Sequence, residues 1–142
     1  MTVRVRRVLE FDGPPEAVWE FISDPSKRAD AISVVDSYEV HGDGAATWHV
    51  RLPIPLIDST VTVETRDVTR EPPRYVEFTG RSRVMSVSGE HTIEPTESGC
   101  RLHNEFVVDG RLPGVERFFE RHLDAELDNL EAALRRDLGL TA

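Results

Sequence analysis

The stretch PGVERFFERHLDAELDNLEAALRRDL, residues 113–138, decides the fold of this chain. Its apolar side chains recur every three or four residues and form one stripe along a helix: Phe119, Leu123, Leu127, Leu130, Leu134 and Leu138. Charged side chains cover the rest of the helix surface. The pattern predicts a long C-terminal amphipathic helix, beginning near Pro113, whose apolar stripe lies on another layer of the protein.

The segment before residue 33 predicts one strand and two short helices. Apolar and charged residues alternate over Thr2–Phe11, which is the period of a strand with one buried face. Prolines in the first turn and apolar residues at helical spacing predict a helix over Pro15–Ile22. Asp24 precedes Pro25 and is the predicted N-cap of a second short helix that ends near Ala31.

From residue 33 onward the sequence is typical of antiparallel strands, because runs rich in valine, threonine and aromatic residues alternate with turn clusters. The turns are predicted at Gly42-Asp43-Gly44, Pro72-Pro73 and Glu97-Ser98-Gly99. Strands are predicted over residues 34–41, 45–52, 59–69, 74–79, 83–94 and 100–109. Prolines exclude a central strand over 53–57, which we expect to be either a linking edge or an exposed apolar loop.

These elements predict an α+β fold of two layers. A curved, seven-stranded antiparallel sheet surrounds the long C-terminal helix, and two short helices follow the first strand. The chain has 142 residues and shows no internal repeat or linker, so we expect one domain over residues 1–142.

Composition excludes several classes of partner. The net charge of −9 argues against nucleic acid, which needs a basic surface, and no apolar run reaches the roughly 20 residues of a membrane span. The N-terminus does not resemble a secretory signal, so we expect a cytoplasmic protein. Cys100 is the single cysteine and the histidines lack metal-ligand spacing, so we expect neither a metal nor a cofactor.

The segment PPEAVWEFISDP, residues 14–25, resembles the signature of the START-like or Bet v 1-like (SRPBCC) superfamily. That resemblance implies a helix-grip fold around a hydrophobic cavity, without a universal catalytic motif. Gly110, Leu112 and Gly114, between the last strand and the long helix, are similar to the same junction in the CoxG-like proteins, which are associated with carbon monoxide dehydrogenase. Polyketide cyclases and dehydratases are the rival branch.

Polar and aromatic residues on the predicted inward faces are the candidate site. His91 shares a strand face with Met85, so its imidazole could orient a ligand, act as a general base, or be a satisfied core residue. Asn104 is likewise inward, bonded either to protein or to ligand. The predicted ligand-binding residues are Trp48, Met85, His91, Asn104, Phe106, Phe118, Phe119 and His122. His91 and His122 are the catalytic candidates.

The leading functional hypothesis is binding or transport of a hydrophobic small molecule, such as a lipid, quinone or polyketide, between sheet and helix. A polyketide cyclase or dehydratase is the alternative, but simple alternation places Glu90 and Glu105 on outward faces, so no acid and base pair is forced. A third hypothesis is an accessory or assembly factor, as the CoxG-like resemblance implies, that docks an enzyme partner or membrane through the 53–57 loop. A homodimer is also compatible with the sequence.

Overall fold

The computed structural model describes residues 2–42, 44–54, 60–112 and 114–139. Within these ranges, seven strands form one antiparallel sheet in the order β1-β7-β6-β5-β4-β3-β2. The strands are β1 (Thr2–Phe11), β2 (Val35–Gly42), β3 (Ala45–Val50), β4 (Val61–Glu71), β5 (Tyr75–Arg81), β6 (Met85–Pro95) and β7 (Cys100–Gly110). The helices are α1 (Pro15–Ile22), α2 (Pro25–Asp30) and α3 (Val115–Asp137). The predicted α+β helix-grip fold is confirmed.

The ends of the elements follow local chemistry. Asp24 caps α2, as predicted, because its carboxylate accepts a hydrogen bond from the Ser26 backbone N–H at 2.9 Å. The long helix starts later than predicted, at Val115, because Gly114 with φ of 97° is its N-cap. That left-handed conformation favours glycine. Pro113, where we expected the helix to begin, lies outside the described residues.

Register shifts bend the sheet around α3. The strands β1 and β7 pair without interruption from Thr2 with Asp109 to Phe11 with Cys100. In contrast, the pairing of β4 with β5 shifts between Asp67 and Thr69, and that of β2 with β3 shifts twice. Such irregularities kink a strand and increase its twist, so the half of the sheet from β2 to β5 carries the bends.

The segment after β3 corrects one expectation. Ile54 is not exposed: only 8% of its surface is accessible, and its Cγ2 lies 3.0 Å from where a side chain on Gly114 would begin. Prolines keep this segment out of the sheet, but Leu52 and Ile54 still turn inward while Pro53 is exposed. The remainder of the predicted apolar loop, residues 55–57, lies outside the described residues.

Two hydrophobic clusters lie between the sheet and α3. The first, here called the cavity cluster, has as its largest members Trp48, Phe78, Met85, Phe119 and Leu123. The second, the packed cluster, includes Phe21, Ile22, Leu102, Leu127, Leu130 and Leu134. The stripe of α3 therefore serves both, with its N-terminal half in the cavity cluster and its C-terminal half in the packed cluster. No helix among the described residues is long and apolar enough to cross a bilayer.

Candidate functional site

A cavity separates α3 from the inner face of the sheet at the cavity cluster. The space open to the centre of a water-sized sphere is about 50 Å³. One water needs roughly 10–15 Å³ of such space, so about four waters would fill it. Its apolar lining consists of Ile22, Ile32, Val34, Val35, Trp48, Val50, Phe78, Met85, Val87, Phe106, Val108, Phe119, Leu123, Leu127 and Leu130. Arg28, His91 and Glu126 complete the wall.

Five of the eight predicted ligand-binding residues line this cavity: Trp48, Met85, His91, Phe106 and Phe119. Strand alternation brings the first four to the inner face of the sheet, and the helical stripe brings Phe119 opposite them. Asn104 is buried beside His91 and supports it from the neighbouring strand. A role for any of these residues in binding a ligand stays a prediction.

Phe118 and His122 lie elsewhere. His122 is exposed, and its ring packs on Phe118 with 4.5 Å between ring centroids. Neither belongs to the lining of the cavity. Successive helix residues are separated by about 100°, so Phe118 and, one turn later, His122 fall beside the stripe that contains Phe119. Of the two neighbouring rings, Phe118 is therefore the one that leaves the stripe, and His122 faces solvent instead of the cavity.

The protonation of His91 follows from its neighbours. The Asn104 amide nitrogen donates to the Arg7 carbonyl at 3.4 Å, so the amide oxygen faces the imidazole, 2.8 Å from Nδ1. This oxygen can only accept a hydrogen bond, so Nδ1 holds the proton and Nε2 keeps a lone pair. Burial, aided by the charge of Arg28, lowers the pKa of His91 to about 4. The imidazole is therefore neutral at pH 7.

Aromatic rings surround this imidazole. Phe78 lies between Trp48 and His91, at centroid distances of 5.8 Å and 6.2 Å, and Phe106 meets His91 edge-on at 5.4 Å. Gly89, paired with Phe78 across the strands, leaves room for that ring, since a Cβ there would fall 2.4 Å from Phe78 Cε1. We did not predict Phe78 as a site residue, although its alternation with Val76 places it on the inner face.

Arg28 is a buried cation at the wall of the cavity, with 5% of its surface exposed. Its Nη2 donates to Asp67 Oδ1 at 2.6 Å, Nη1 donates to the Ile22 carbonyl at 3.2 Å, and the guanidinium lies 5.1 Å from the Phe78 centroid. The other oxygen of Asp67 accepts from Arg70 at 2.7 Å. The ion pair compensates the cost of burying both charges and fixes the guanidinium plane.

Glu126 is the second buried charge that we did not predict. Its carboxylate accepts hydrogen bonds from the backbone N–H and the hydroxyl of Ser33, and from Asn129 at 3.1 Å. These bonds join α3 to the loop between α2 and β2, where Ile32 and Val34 line the cavity. The signal was present in the sequence, because Glu126 lies three residues after Leu123 and four before Leu130, on the apolar stripe.

Three buried side-chain atoms among the described residues have no hydrogen-bond partner: Arg28 Nε, Trp48 Nε1 and His91 Nε2. All three side chains line the cavity. An unsatisfied buried polar group costs about 1–3 kcal/mol. The three atoms themselves are buried, and the surface that the wall presents to the cavity is almost entirely apolar. In the part of the chain that the structure describes, no three side chains of the metal-ligating types are placed to hold an ion.

The sequence matches one known protein family over most of its length. Residues 2–135 match the model described as polyketide cyclase/dehydrase and lipid transport. The chain belongs to this family. The START-like superfamily indicated by residues 14–25 is thereby confirmed, whereas the similarity to the CoxG-like proteins stays a prediction.

Solved structures of other proteins share the fold of this member of the polyketide cyclase/dehydrase and lipid transport family. A conserved protein from Geobacillus kaustophilus is 14% identical, with a TM-score of 0.75 over 98% of this chain and 95% of its own. A START superfamily protein from Mycobacterium smegmatis is also 14% identical, with a TM-score of 0.75 over 97% and 99%. The Zhui aromatase/cyclase from Streptomyces sp. R1128 is 20% identical, with a TM-score of 0.69 over 96% of each chain. No curated protein sequence matches significantly.

Proposed function

We propose that this protein binds or transports a small hydrophobic molecule in the cavity between the sheet and α3. The observation that supports it most is the cavity itself, a free space of about 50 Å³ with an almost entirely apolar surface between the sheet and α3. A core selected only for stability would fill this space. An apolar ligand would fill it instead.

Size limits the ligand. Sites for drug-sized molecules measure roughly 300–1,000 Å³, and this cavity measures about 50 Å³. A lipid, quinone or polyketide would therefore need α3 to move outward from the sheet. Gly110 and Gly114, just before the helix, are the positions where the chain could turn during such a movement.

The experiment is a dye titration of the wild type, one cavity variant and one surface control. The neutral dye N-phenyl-1-naphthylamine is titrated into the wild-type protein, and native mass spectrometry of gently purified protein looks for a retained ligand. Leu123→Trp fills the cavity and should weaken dye binding at least tenfold. Val68→Trp, at a side chain that is 49% exposed, is the matched control and should leave binding unchanged. An empty protein that takes up no dye would contradict the proposal.

A cyclase or dehydratase is the second candidate function. The neutral imidazole of His91 in the wall of the cavity favours it, because a general base needs an unprotonated nitrogen. Against it stands the pKa of about 4, which makes this imidazole a weak base at neutral pH. If His91→Gln abolished turnover of a polyketide-type thioester while dye binding was kept, the enzyme would be favoured over the carrier.

The remaining predictions have less support. The sequence suggested that an enzyme partner or a membrane docks on exposed apolar residues at 53–57. Ile54 is buried, so it does not contribute to such a surface. A cytoplasmic location, an enzyme partner and a homodimer stay predictions. Size-exclusion chromatography with light scattering would test the homodimer directly.

A further inference from the structure

A depression on the surface lies against the cavity wall, between α3 and the 31–34 loop that joins α2 to β2. It measures about 250 Å³, and its lining includes Ser33 from the loop and Asn129, Ala132 and Arg136 from α3. We propose that a ligand enters the cavity here, between α3 and the loop, and that Glu126 holds this entrance closed. The inference rests on the proposed binding function and adds a route of entry to it.

One layer of side chains separates this depression from the cavity. In the loop, Ile32 and Val34 line the cavity, while Ser33 between them lines the depression. On α3, Glu126 lines the cavity and Asn129, one turn later, lines the depression. The Glu126 carboxylate is buried, and it accepts hydrogen bonds from Ser33 and Asn129, which are both exposed. The bonds of one carboxylate therefore join the two sides of the wall between solvent and the cavity.

The side of α3 that faces β1 is held more firmly. There Arg7 of β1 forms ion pairs with Asp124, at 3.2 Å, and with Asp128. Further along the helix, Arg135 Nη2 donates to the Glu10 carbonyl at 3.2 Å. Among the strands, α3 contacts β1 and β7 most extensively. We therefore expect α3 to stay on β1 and β7 while the side that faces the 31–34 loop opens.

Among the described residues, two polar links hold α3 to α2 and the 31–34 loop. Lys27 Nζ lies 3.3 Å from Asp137 Oδ1 at the end of α3, and both side chains are partly exposed. Exposed ion pairs of this kind contribute little to stability. The other link joins Glu126 to the backbone N–H and the hydroxyl of Ser33. Loss of these two hydrogen bonds would separate the loop from the middle of the helix.

A carboxylate at position 126 suits a wall that opens. Glu126 falls on the apolar stripe of α3, where a leucine would seal the wall through apolar contacts. Hydrogen bonds contribute only a small net free energy where water can replace the lost partner. Ser33 and Asn129 are already exposed, so water reaches the carboxylate as soon as the loop moves. Opening at Glu126 therefore costs less than separating two apolar surfaces.

The first test weakens the closure. Binding of N-phenyl-1-naphthylamine is followed by stopped-flow fluorescence, which gives the association and dissociation rate constants and, from their ratio, Kd. Ser33→Ala removes the hydroxyl that donates to Glu126. Because one hydrogen bond corresponds to about a fivefold change in the population of the open form, both rates should rise about fivefold and Kd should change by less than about twofold. Ser37→Ala, at an exposed serine outside the depression, is the matched control and should keep both rates of the wild type.

The second test blocks the entrance. Ala132→Trp places a large ring in the depression, and it should slow both association and dissociation by about fivefold or more. Kd should stay the same, because Ala132 lies outside the lining of the cavity. Ala125→Trp adds the same ring to α3 at an exposed alanine outside the depression. This matched control should bind and release the dye at the rates of the wild type.

The two tests separate the entrance from the binding function. If the dye bound all four variants at the rates of the wild type, the entrance at the 31–34 loop would be overturned and the proposed function would remain. A change of Kd in Ser33→Ala without faster association would also contradict the entrance. If the wild-type protein took up no dye, the proposed function itself would fail. All four substitutions are at exposed positions, so each variant should fold, which far-UV circular dichroism checks.

Discussion

The two hydrophobic clusters on the sheet share one helix but differ in what they leave unfilled. In the packed cluster, Val18, Leu102 and Leu134 have no exposed surface and lie outside the lining of the cavity. The cavity cluster instead borders free space, together with Leu127 and Leu130 of the packed cluster. The helix α3 is therefore divided into a segment from Phe119 to Leu130 that covers the cavity and a last part around Leu134 that anchors the fold.

The same substitution in both clusters should give the largest effect and the clearest contrast. We expect Leu134→Ala to lower the free energy of unfolding by about 4 kcal/mol and Leu123→Ala by about 2 kcal/mol. Leu123 faces free space on one side and so has fewer contacts to lose. Urea unfolding measures both values, and only Leu123→Ala should bind toluene more tightly. Equal losses would contradict the division of α3.

The free energy of unfolding should depend on pH through His91, which lies in the wall of the cavity. His91 has a pKa of about 4 in the folded protein against an ordinary 6.5, so between these values the unfolded chain binds more protons. Acidification therefore favours unfolding, and stability is lost as the pH falls from about 6.5 towards 4. From pH 7 to 5 the wild type should lose roughly 2 kcal/mol more than His91→Gln. Parallel profiles from urea unfolding at each pH would refute this.

The smallest effect is expected at the boundary of the two clusters. Glu126→Gln removes the charge that accepts from Ser33, and should lower the free energy of unfolding by about 1 kcal/mol. Because Glu126 joins α3 to the loop beside the cavity, exchange of the Ser33 amide hydrogen should accelerate. Glu120→Gln, on the exposed face of α3, is the control and should change neither quantity.

Periodicity was sufficient to predict the fold and much of the cavity wall. Strand alternation determined that Met85, His91 and Phe106 face inward, and helical spacing did the same for Phe119. Every predicted helix and strand is present, and each described boundary lies within two residues of its predicted position. These features depend only on neighbours along the chain, so one sequence is enough to predict them.

The charged part of the site could not be predicted in the same way. Arg28 lies in a six-residue helix among other charged residues, which is the pattern of a solvated surface. Its burial depends on the ion pair with Asp67, which lies 39 residues further along the chain in strand β4. The volume of the cavity likewise depends on the rotamers of Phe78 and Trp48, which no local pattern specifies. Burial and pairing of this kind result from tertiary packing.

The edge of the sheet at β2 has a consequence for association between copies of the chain. This strand pairs only with β3 in the described sheet, and its other side presents backbone donors and acceptors to solvent. Two register shifts and the exposed carboxylates of Asp36 and Glu39 interrupt it, which opposes the addition of a foreign strand. With a net charge of −9, a second copy would also be repelled. The irregularities of β2 thus protect the protein against aggregation through this edge of its sheet.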